Sequence, residues 1–414
     1  MKRRGKVNIR QMAAGAVFGL PVLAGVFPEG ALAVPGSGEI HEIISTRSYG
    51  YPADVLERLS PENIDSMDEQ ELNTVLTSGD RYASYISAAS FRKKLTAPST
   101  GAAGVGMDII RDREGRVRCI PFPRSPADEA GIYYGDILLA VDGYDITGST
   151  LDETAARIRG VKDTAVTLTV LNSFGGTEDL EMSRDIRNYP EVVKTGKNPV
   201  IIKIFRFSPG TEKLLRREIV DLVADSLIDD IGDTDEPDKT DKTDNGGAVK
   251  TAGREQKSGH EKRVFIDLRG NTGGMLEQGA LSAALMLPKD AVLYRIKDRR
   301  GIRDIRNKKD GVSTSLKLIV MQDHLTASAA EMMTVALKNG TGARTYGELS
   351  AGKSRVQEVF RLKDGSYLKI TVGELINPED NTPWEGKGLE PDATTKFRDE
   401  AGTGENKEKD ADDE

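Results

Sequence analysis

The chain has 414 residues and a formal net charge of −8, and 37% of its residues are hydrophobic and 5% aromatic. This length predicts two or three domains rather than one small core, and the low apolar content predicts additional polar segments that stay disordered. The acidic balance argues against a nucleic-acid partner, because phosphate binding requires a basic surface.

The N-terminus predicts export. Several basic residues precede an apolar run from Met12 to Phe27, and the triplet ALA that ends at Ala33 fits a signal-peptidase site. We therefore expect residues 1–33 to be a signal peptide. The alternative is an uncleaved membrane anchor, although the run is short for a membrane span. In either case the rest of the chain is expected to be exported, to a periplasm or an extracytoplasmic surface.

Residues 39–95 predict a polar, amphipathic helical segment. Leu56, Leu59 and Leu72 supply apolar anchors, and Pro61 suits the first position of a helix. We expect this segment to precede a separate, compact domain.

Residues 98–186 resemble a PDZ domain. The stretch SPADEAGIYYGDILLAVDG is followed by an expected helix from Thr150 to Arg159 and by alternating strand residues from Ala165 to Val170. In a PDZ domain a peptide end adds a strand to the sheet, while loop amides hold its carboxylate. The resemblance implies that peptide binding falls on the backbone of Gly104, Val105, Gly106 and Met107. The alternative is a PDZ-shaped spacer that binds nothing.

Cys119 is the only cysteine, so no intrachain disulfide can form. It lies in an alternating apolar run and is expected to be a buried strand residue rather than a nucleophile. No histidine, cysteine or acidic cluster predicts a metal site, and no glycine-rich phosphate loop is present. We therefore expect no metal site and no cofactor.

Residues 196–395 show an α/β pattern. Strands are expected at Asn198–Phe207, Val264–Leu268 and Leu316–Met321, and an amphipathic helix at Thr211–Ile228.

Two polar segments interrupt or follow this pattern. Residues 232–262 are charged and nearly free of large apolar side chains, so they are expected to form a disordered insertion within the α/β domain. Residues 396–414 predict a disordered acidic tail for the same reason.

The segment from Leu325 to Gln357 carries the most informative chemistry. Ser328 lies where a helix is expected to begin, and Lys353 follows 25 positions later. A serine hydroxyl is a poor nucleophile without a base, and a buried lysine can become one when its pKa falls. His324 is close to the serine in sequence but has no evident carboxylate to orient it. Taken alone, Ser328 could equally be a helix N-cap and Lys353 an exposed turn residue.

Two sequence blocks together resemble the C-terminal processing peptidases, also called tail-specific proteases. TASAAE around Ser328 and GKSRVQ around Lys353 match the family's nucleophile and base regions, and DLRGNTGG within Val264–Leu287 matches its DLRxNxGG signature. The resemblance implies that Ser328 is the nucleophile, that Lys353 is the general base and that Gln357 orients the lysine.

The same resemblance suggests an oxyanion hole. The free amides at a helix start favour a developing negative charge, so the Ala329 N–H is one expected donor. The other is expected from Gly273 or Gly274, where the lack of a β-carbon lets the backbone approach substrate. The chain departs from the family at Ala330, where a second serine is usual, and at the residues that flank its Gly-Lys pair, Ala351 and Ser354.

The predicted architecture is α/β and multidomain: a crotonase-like ββα-type catalytic core, a preceding or inserted PDZ domain and an N-terminal helical segment. The predicted function is that of an exported serine endopeptidase that recognises C-terminal tails and cleaves with a Ser-Lys dyad. The alternative is a catalytically impaired PDZ scaffold or adaptor. Expected partners are proteins or peptides with accessible C-terminal tails. Membrane anchoring and homo-oligomer formation are left open.

Overall fold

The computed structural model describes residues 36–96, 103–112, 114–187, 189–232, 263–312 and 316–394. The predicted signal peptide, the acidic tail and all of the predicted insertion except Gly232 lie outside the described residues. Within the described ranges, no helix is both long enough and apolar enough to cross a bilayer.

The N-terminal segment is mainly helical, as predicted, and Pro61 occupies the first turn of its helix. One strand within it was not predicted: Ser84–Ile86 pairs antiparallel with the strand Tyr367–Ile376 of the last region, Tyr85 lying opposite Leu368. The segment therefore packs on the last region of the chain. Its elements are α1 (Ser37–Arg47), α2 (Ala53–Arg58), α3 (Pro61–Asp65), α4 (Glu69–Gly79), β1 (Ser84–Ile86) and α5 (Ala88–Thr96).

The next region forms an antiparallel sheet in the order β2-β3-β4-β6-β7, with β5 paired to β4. Cys119 is fully buried in β3, as predicted, and burial raises the pKa of its thiol. Strand β2 lies at the sheet edge and contacts α7, and this edge is where the predicted mode of peptide binding would add a strand. The elements are β2 (Met107–Arg111), β3 (Val117–Pro121), α6 (Pro126–Glu129), β4 (Ile137–Val141), β5 (Tyr144–Asp145), α7 (Leu151–Ile158), β6 (Ala165–Leu171) and β7 (Thr177–Ser183).

The last region contains two sheets and three helices. The elements are β8 (Val192–Thr195), β9 (Val200–Ile204), α8 (Thr211–Gly232), β10 (Arg263–Asp267), α9 (Leu276–Ala284), β11 (Val292–Asp298), β12 (Gly301–Arg306), β13 (Lys317–Gln322), α10 (Ala329–Thr341), β14 (Arg344–Gly347), β15 (Arg355–Arg361), β16 (Tyr367–Ile376) and β17 (Ala393–Thr394).

One sheet, in the order β17-β14-β13-β10-β9-β8, is parallel except for its edge pair β8–β9. Its central strands are nearly continuous apolar runs, as expected of strands that helices cover. Helices α8, α9 and α10 contribute to the same core, in which Leu215, Ala283 and Met333 are fully buried. The second sheet is antiparallel and runs β1-β16-β11-β12, with β15 also paired to β16.

Candidate active site

The topology brings together the DLRGNTGG block and the segment around Ser328. Strands β10 and β13 are parallel neighbours, with Asp267 opposite Met321, so the loops that follow them leave the same edge of the sheet. In open α/β sheets, ligands bind at this carboxyl edge. The glycine turn follows β10 and Ser328 follows β13, which places both at that edge.

Asp323 joins the two loops at their bases. Its side chain is buried, and Oδ1 accepts hydrogen bonds from the Gly270 N–H (3.0 Å), the Leu325 N–H (3.1 Å) and the Thr326 N–H (3.0 Å). Its other oxygen accepts from the Tyr134 hydroxyl of the PDZ region. Asp323 therefore connects three parts of the molecule, and the sequence analysis did not identify it.

Asn271 holds the glycine turn against the nucleophile loop. Its side chain is fully buried, donates to the Ile204 carbonyl at 3.0 Å and accepts from the Gly273 N–H at 2.9 Å. Its backbone carbonyl accepts from the Ala327 N–H at 2.9 Å. The residue just before Ser328 is thus fixed to the turn after β10.

Ser328 lies at the start of α10 with φ 57° and ψ −118°, a conformation that costs a non-glycine residue on the order of 1–3 kcal/mol. A strained strand-to-helix turn of this kind exposes a nucleophilic serine in other hydrolases. A β-carbon on Gly273 would lie 2.7 Å from the Ser328 Cβ, so only glycine fits there. Ser328 lines a small recess together with Gly274, Leu276 and Gln357.

The predicted oxyanion donors differ in availability. The Gly273 N–H already donates to Asn271, whereas the Gly274 N–H and the Ala329 N–H have no hydrogen-bond acceptor among the described residues. Gly274 has φ 128°, and a β-carbon there would lie 2.2 Å from the Phe207 carbonyl oxygen. Of the two glycines, Gly274 is therefore the better candidate.

Glu331 connects Ser328, the predicted nucleophile, to the segment of Lys353, the predicted base. One carboxylate oxygen accepts from the backbone N–H groups of both Ser328 (2.8 Å) and Lys353 (2.9 Å). The other accepts from the Ser350 hydroxyl (2.6 Å) and the Gly352 N–H (2.7 Å). Burial raises the pKa of Glu331, although these four donors oppose the shift.

The Lys353 side chain does not reach Ser328 in this structure. Its Nζ lies over the Tyr82 ring, 5.2 Å from the centroid, and forms no hydrogen bond with the described residues. Burial lowers the pKa of Lys353, and the charge of Lys369 lowers it further, while Glu385 and Glu331 oppose this. The environment therefore favours the neutral amine that a general base needs.

Gln357 lines the Ser328 recess but does not contact Lys353. Its amide donates to the Arg355 carbonyl at 3.0 Å and approaches the Thr371 hydroxyl at 3.5 Å. The family resemblance implies that Gln357 orients Lys353, and a regular helix or strand through both residues would place them on one face. Strand β15 begins only at Arg355, and its register shifts between Val356 and Gln357, so the regular spacing does not hold.

His324 has a carboxylate partner that the sequence did not predict. Its Nδ1 lies 2.8 Å from an oxygen of Glu348. Both side chains are well exposed, and neither lines the Ser328 recess. The pair is a surface contact that only the fold brings together.

In the predicted carboxylate-binding loop of the PDZ region, one of the backbone N–H groups already has a hydrogen-bond acceptor. The Gly104 N–H donates to the Asp185 carbonyl at 2.9 Å, and Met107 begins the edge strand β2. Gly106 has φ 68°, and a β-carbon there would lie 2.5 Å from the Tyr189 ring. Among the described residues, the N–H groups of Val105 and Gly106 have no hydrogen-bond acceptor.

The comparisons with known proteins agree with this architecture. Residues 238–395 match the model of peptidase family S41, and residues 123–172 match a PDZ domain model. The chain is 30% identical over 307 residues to a carboxyl-terminal-processing protease from a Picosynechococcus species, covering 72% of this chain and 66% of the relative. It is 26% identical over 318 residues to a probable CtpA-like serine protease of Staphylococcus aureus, covering 76% and 57%.

The fold is also similar to a solved structure. The photosystem II D1 C-terminal processing protease superposes with a TM-score of 0.65 at 18% sequence identity, over 87% of this chain and 92% of that chain. The chain spans 57 to 66% of the lengths of the two curated relatives. The family resemblance and the multidomain α/β fold predicted from the sequence are confirmed. The chain belongs to peptidase family S41 and carries a PDZ domain.

Proposed function

We propose that the chain is a serine endopeptidase that uses Ser328 as nucleophile and Lys353 as general base. The contact that carries this proposal is the shared Glu331 oxygen. Hydrogen bonds of 2.8 and 2.9 Å to one oxygen place the Ser328 and Lys353 backbone nitrogens within about 6 Å of each other. The flexible four-carbon stem of a lysine can span that distance, so a change of side-chain rotamer brings Nζ to Ser328 Oγ.

Acylation of Ser328 then involves two proton transfers, and water activated by the same lysine afterwards hydrolyses the acyl-enzyme and restores the serine. Neutral Lys353 removes the Ser328 proton as the hydroxyl oxygen attacks the scissile carbonyl, and it later gives a proton to the leaving amine. The N–H groups of Ala329 and Gly274, with Gly273 as the alternative second donor, stabilise the oxyanion. Gln357 is proposed to orient Lys353 after the lysine has left the Tyr82 ring.

The substrate is proposed to be a protein with an accessible C-terminal tail. Edge strand β2 and the loop from Gly104 to Met107 provide the strand-addition surface and the backbone amides that this mode of binding requires. Tyr134 links the PDZ region to Asp323 at the base of both active-site loops. We infer that tail binding positions the substrate and assists the movement of Lys353.

The site of action is proposed to be outside the cytoplasm. The basic start and apolar run of residues 1–33 support export through a cleaved signal peptide, with membrane anchoring as the alternative.

A direct test is incubation of the purified protein with a disordered reporter that carries varied C-termini, with Ser328→Ala as the matched control. Cleavage by the wild type alone, and labelling of Ser328 by a fluorophosphonate, are the expected results. Tail binding without cleavage or labelling would instead support the adaptor function. The absence of a hydrogen bond between the Lys353 amine and the Ser328 hydroxyl in this structure also fits that function.

A further inference from the structure

A second cleft begins beside the Ser328 recess and leads away from it. The two share Leu276, Val356 and Gln357 in their walls. The cleft has a volume of about 710 Å³ including its open mouth, and it extends to the turn between β11 and β12. A peptide held at Ser328 would therefore continue into this cleft on one side of the scissile bond.

The inner part of the cleft is apolar. Tyr294, Ile296 and Val372 line it together with Leu276. Such walls accept an apolar side chain of a bound substrate, because burial of its surface stabilises the complex.

The outer part of the cleft is cationic. Four arginines line it, against two carboxylates, Asp298 and Glu358, which leaves a net charge of two positive units; the arginines are Arg47, Arg299, Arg300 and Arg303. This excess is local, because the whole chain carries a net charge of −8.

The ion pairs within the cleft leave part of this positive charge uncompensated. Asp298 is shared by Arg303 at 2.7 Å and by Arg300 at 3.3 Å, and the Arg300 side chain is 72% exposed. Arg299 donates to the neutral carbonyl of Ser45 and has no carboxylate partner among the described residues. The guanidinium groups of Arg299 and Arg300 at the cleft mouth can therefore donate hydrogen bonds to another carboxylate.

We propose that this cleft is a substrate subsite that selects an apolar side chain with a carboxylate close beyond it. The proposal rests on the proposed function of Ser328 and adds a substrate preference to it. The carboxylate is either an acidic side chain of the substrate or the free C-terminus of a short leaving segment. Both present the same chemistry to Arg299 and Arg300.

The test compares matched peptides with one apolar position and Glu or Gln beyond it, each with a free or an amidated C-terminus. The wild type is expected to cleave either the Glu peptide better than its Gln match or the free-acid peptide better than its amide. The expected difference in kcat/KM is about three- to tenfold, the size that one or two partly exposed charge pairs allow. The preference should weaken at high ionic strength. Substituting Arg299→Gln and Arg300→Gln together should bring the ratio close to one.

Arg306→Gln is the matched control, because Arg306 lies on the same hairpin, pairs with Asp304 and does not line the cleft. It should keep the wild-type ratio. Arg300→Gln alone is the second variant, since an exposed side chain can be replaced without loss of folding. If the arginine variants change the ratio of kcat/KM between the Glu and Gln peptides, the carboxylate is that of a side chain. If they change the ratio between the free-acid and amidated peptides, it is the C-terminus.

Binding of the same peptides to the Ser328→Ala protein, followed by fluorescence anisotropy, separates this inference from the proposed function. A carboxylate preference in binding that the double variant removes would support the subsite even if no cleavage occurs. Efficient cleavage with no carboxylate preference, or a preference that the double variant retains, would overturn it.

Discussion

Lys203 and Lys353 are both partly buried and both have a lowered pKa, but they have different surroundings. Burial lowers the pKa of both Lys203 and Lys353. Lys203 donates to the Asp267 carboxylate at 3.3 Å and to the Arg269 carbonyl, so its protons are engaged. Lys353 lies against an aromatic ring without a hydrogen bond. Desolvation alone therefore does not identify a general base; a candidate base also needs an amine that is free to accept a proton.

The strongest test of this comparison is the same substitution at both lysines. Lys353→Met should reduce kcat/KM by about 10⁴-fold or more, since removing one member of a catalytic unit removes most of its contribution. Its stability should be unchanged or higher. Lys353→Arg should be equally inactive, because guanidinium does not become a base near neutral pH. Reporter cleavage and thermal unfolding measure the two effects.

Lys203→Met should give the opposite result. Removing Lys203 breaks a partly buried ion pair, but Asp267 stays paired with Arg269, so the free energy of unfolding is expected to fall by about 1–2 kcal/mol, while kcat/KM of the folded fraction stays within about tenfold of the wild type. Full activity in Lys353→Met, or loss of activity without loss of stability in Lys203→Met, would reverse the assignment.

The Glu331 carboxylate offers the next largest effect. In Glu331→Gln the amide group would face two N–H or O–H donors, which leaves them unpaired and shifts the Lys353 segment relative to Ser328. We expect kcat/KM to fall about 100-fold, the typical cost of a small misplacement, and the free energy of unfolding to fall by about 2 kcal/mol. Glu348→Gln makes the same chemical change at an exposed pair. It should have little effect on either measurement.

The sequence identifies candidate residues for the site better than it predicts their geometry. Ser328, the glycine turn and Lys353 could be found because each belongs to a local pattern. Asp323 and Tyr134 could not, since their contact joins residues 189 positions apart. The contact between Gln357 and Arg355 was missed for another reason. A single register shift in β15 changes the face on which a side chain lies, and no spacing rule predicts that shift.

The fold, too, was predicted where local sequence patterns determine it and missed where it depends on distant residues. Strands β9, β10 and β13 were predicted because they are apolar runs that alternate with helices. Strand β1 was not, because Ser84–Ile86 is short and its pairing partner Tyr367–Lys369 lies far along the chain. Long-range pairing of this kind leaves no local pattern for sequence analysis to detect.

The pH dependence of cleavage sharpens the role of Lys353. A lysine acts as a base only when neutral, so kcat/KM should rise as pH rises through a pKa below that of an ordinary lysine. Lys369→Gln removes a nearby positive charge, which should raise the pKa of Lys353 and move the profile to higher pH. Glu385→Gln removes a negative charge and should move it to lower pH.

These two shifts have opposite signs, so a general loss of stability cannot reproduce both. Rate profiles measured between neutral and alkaline pH on one reporter provide the comparison. Shifts in the same direction, or an unchanged midpoint in both variants, would show that the titrating group is not Lys353.

The smallest expected effect concerns the link between the PDZ region and the active site. Tyr134→Phe removes the hydroxyl that donates to Asp323 but keeps the ring, and Asp323 keeps its bonds to Gly270, Leu325 and Thr326. Loss of one hydrogen bond is expected to cost about 1 kcal/mol, or about fivefold in rate. If tail binding acts through this link, the loss of cleavage rate should be larger for a substrate with a free C-terminus than for its amidated form.

Tyr133→Phe is the matched control, since Tyr133 is the neighbouring residue and is 66% exposed. An equal loss with both substrates would mean that Tyr134 supports the fold of the interface without transmitting tail binding to Ser328.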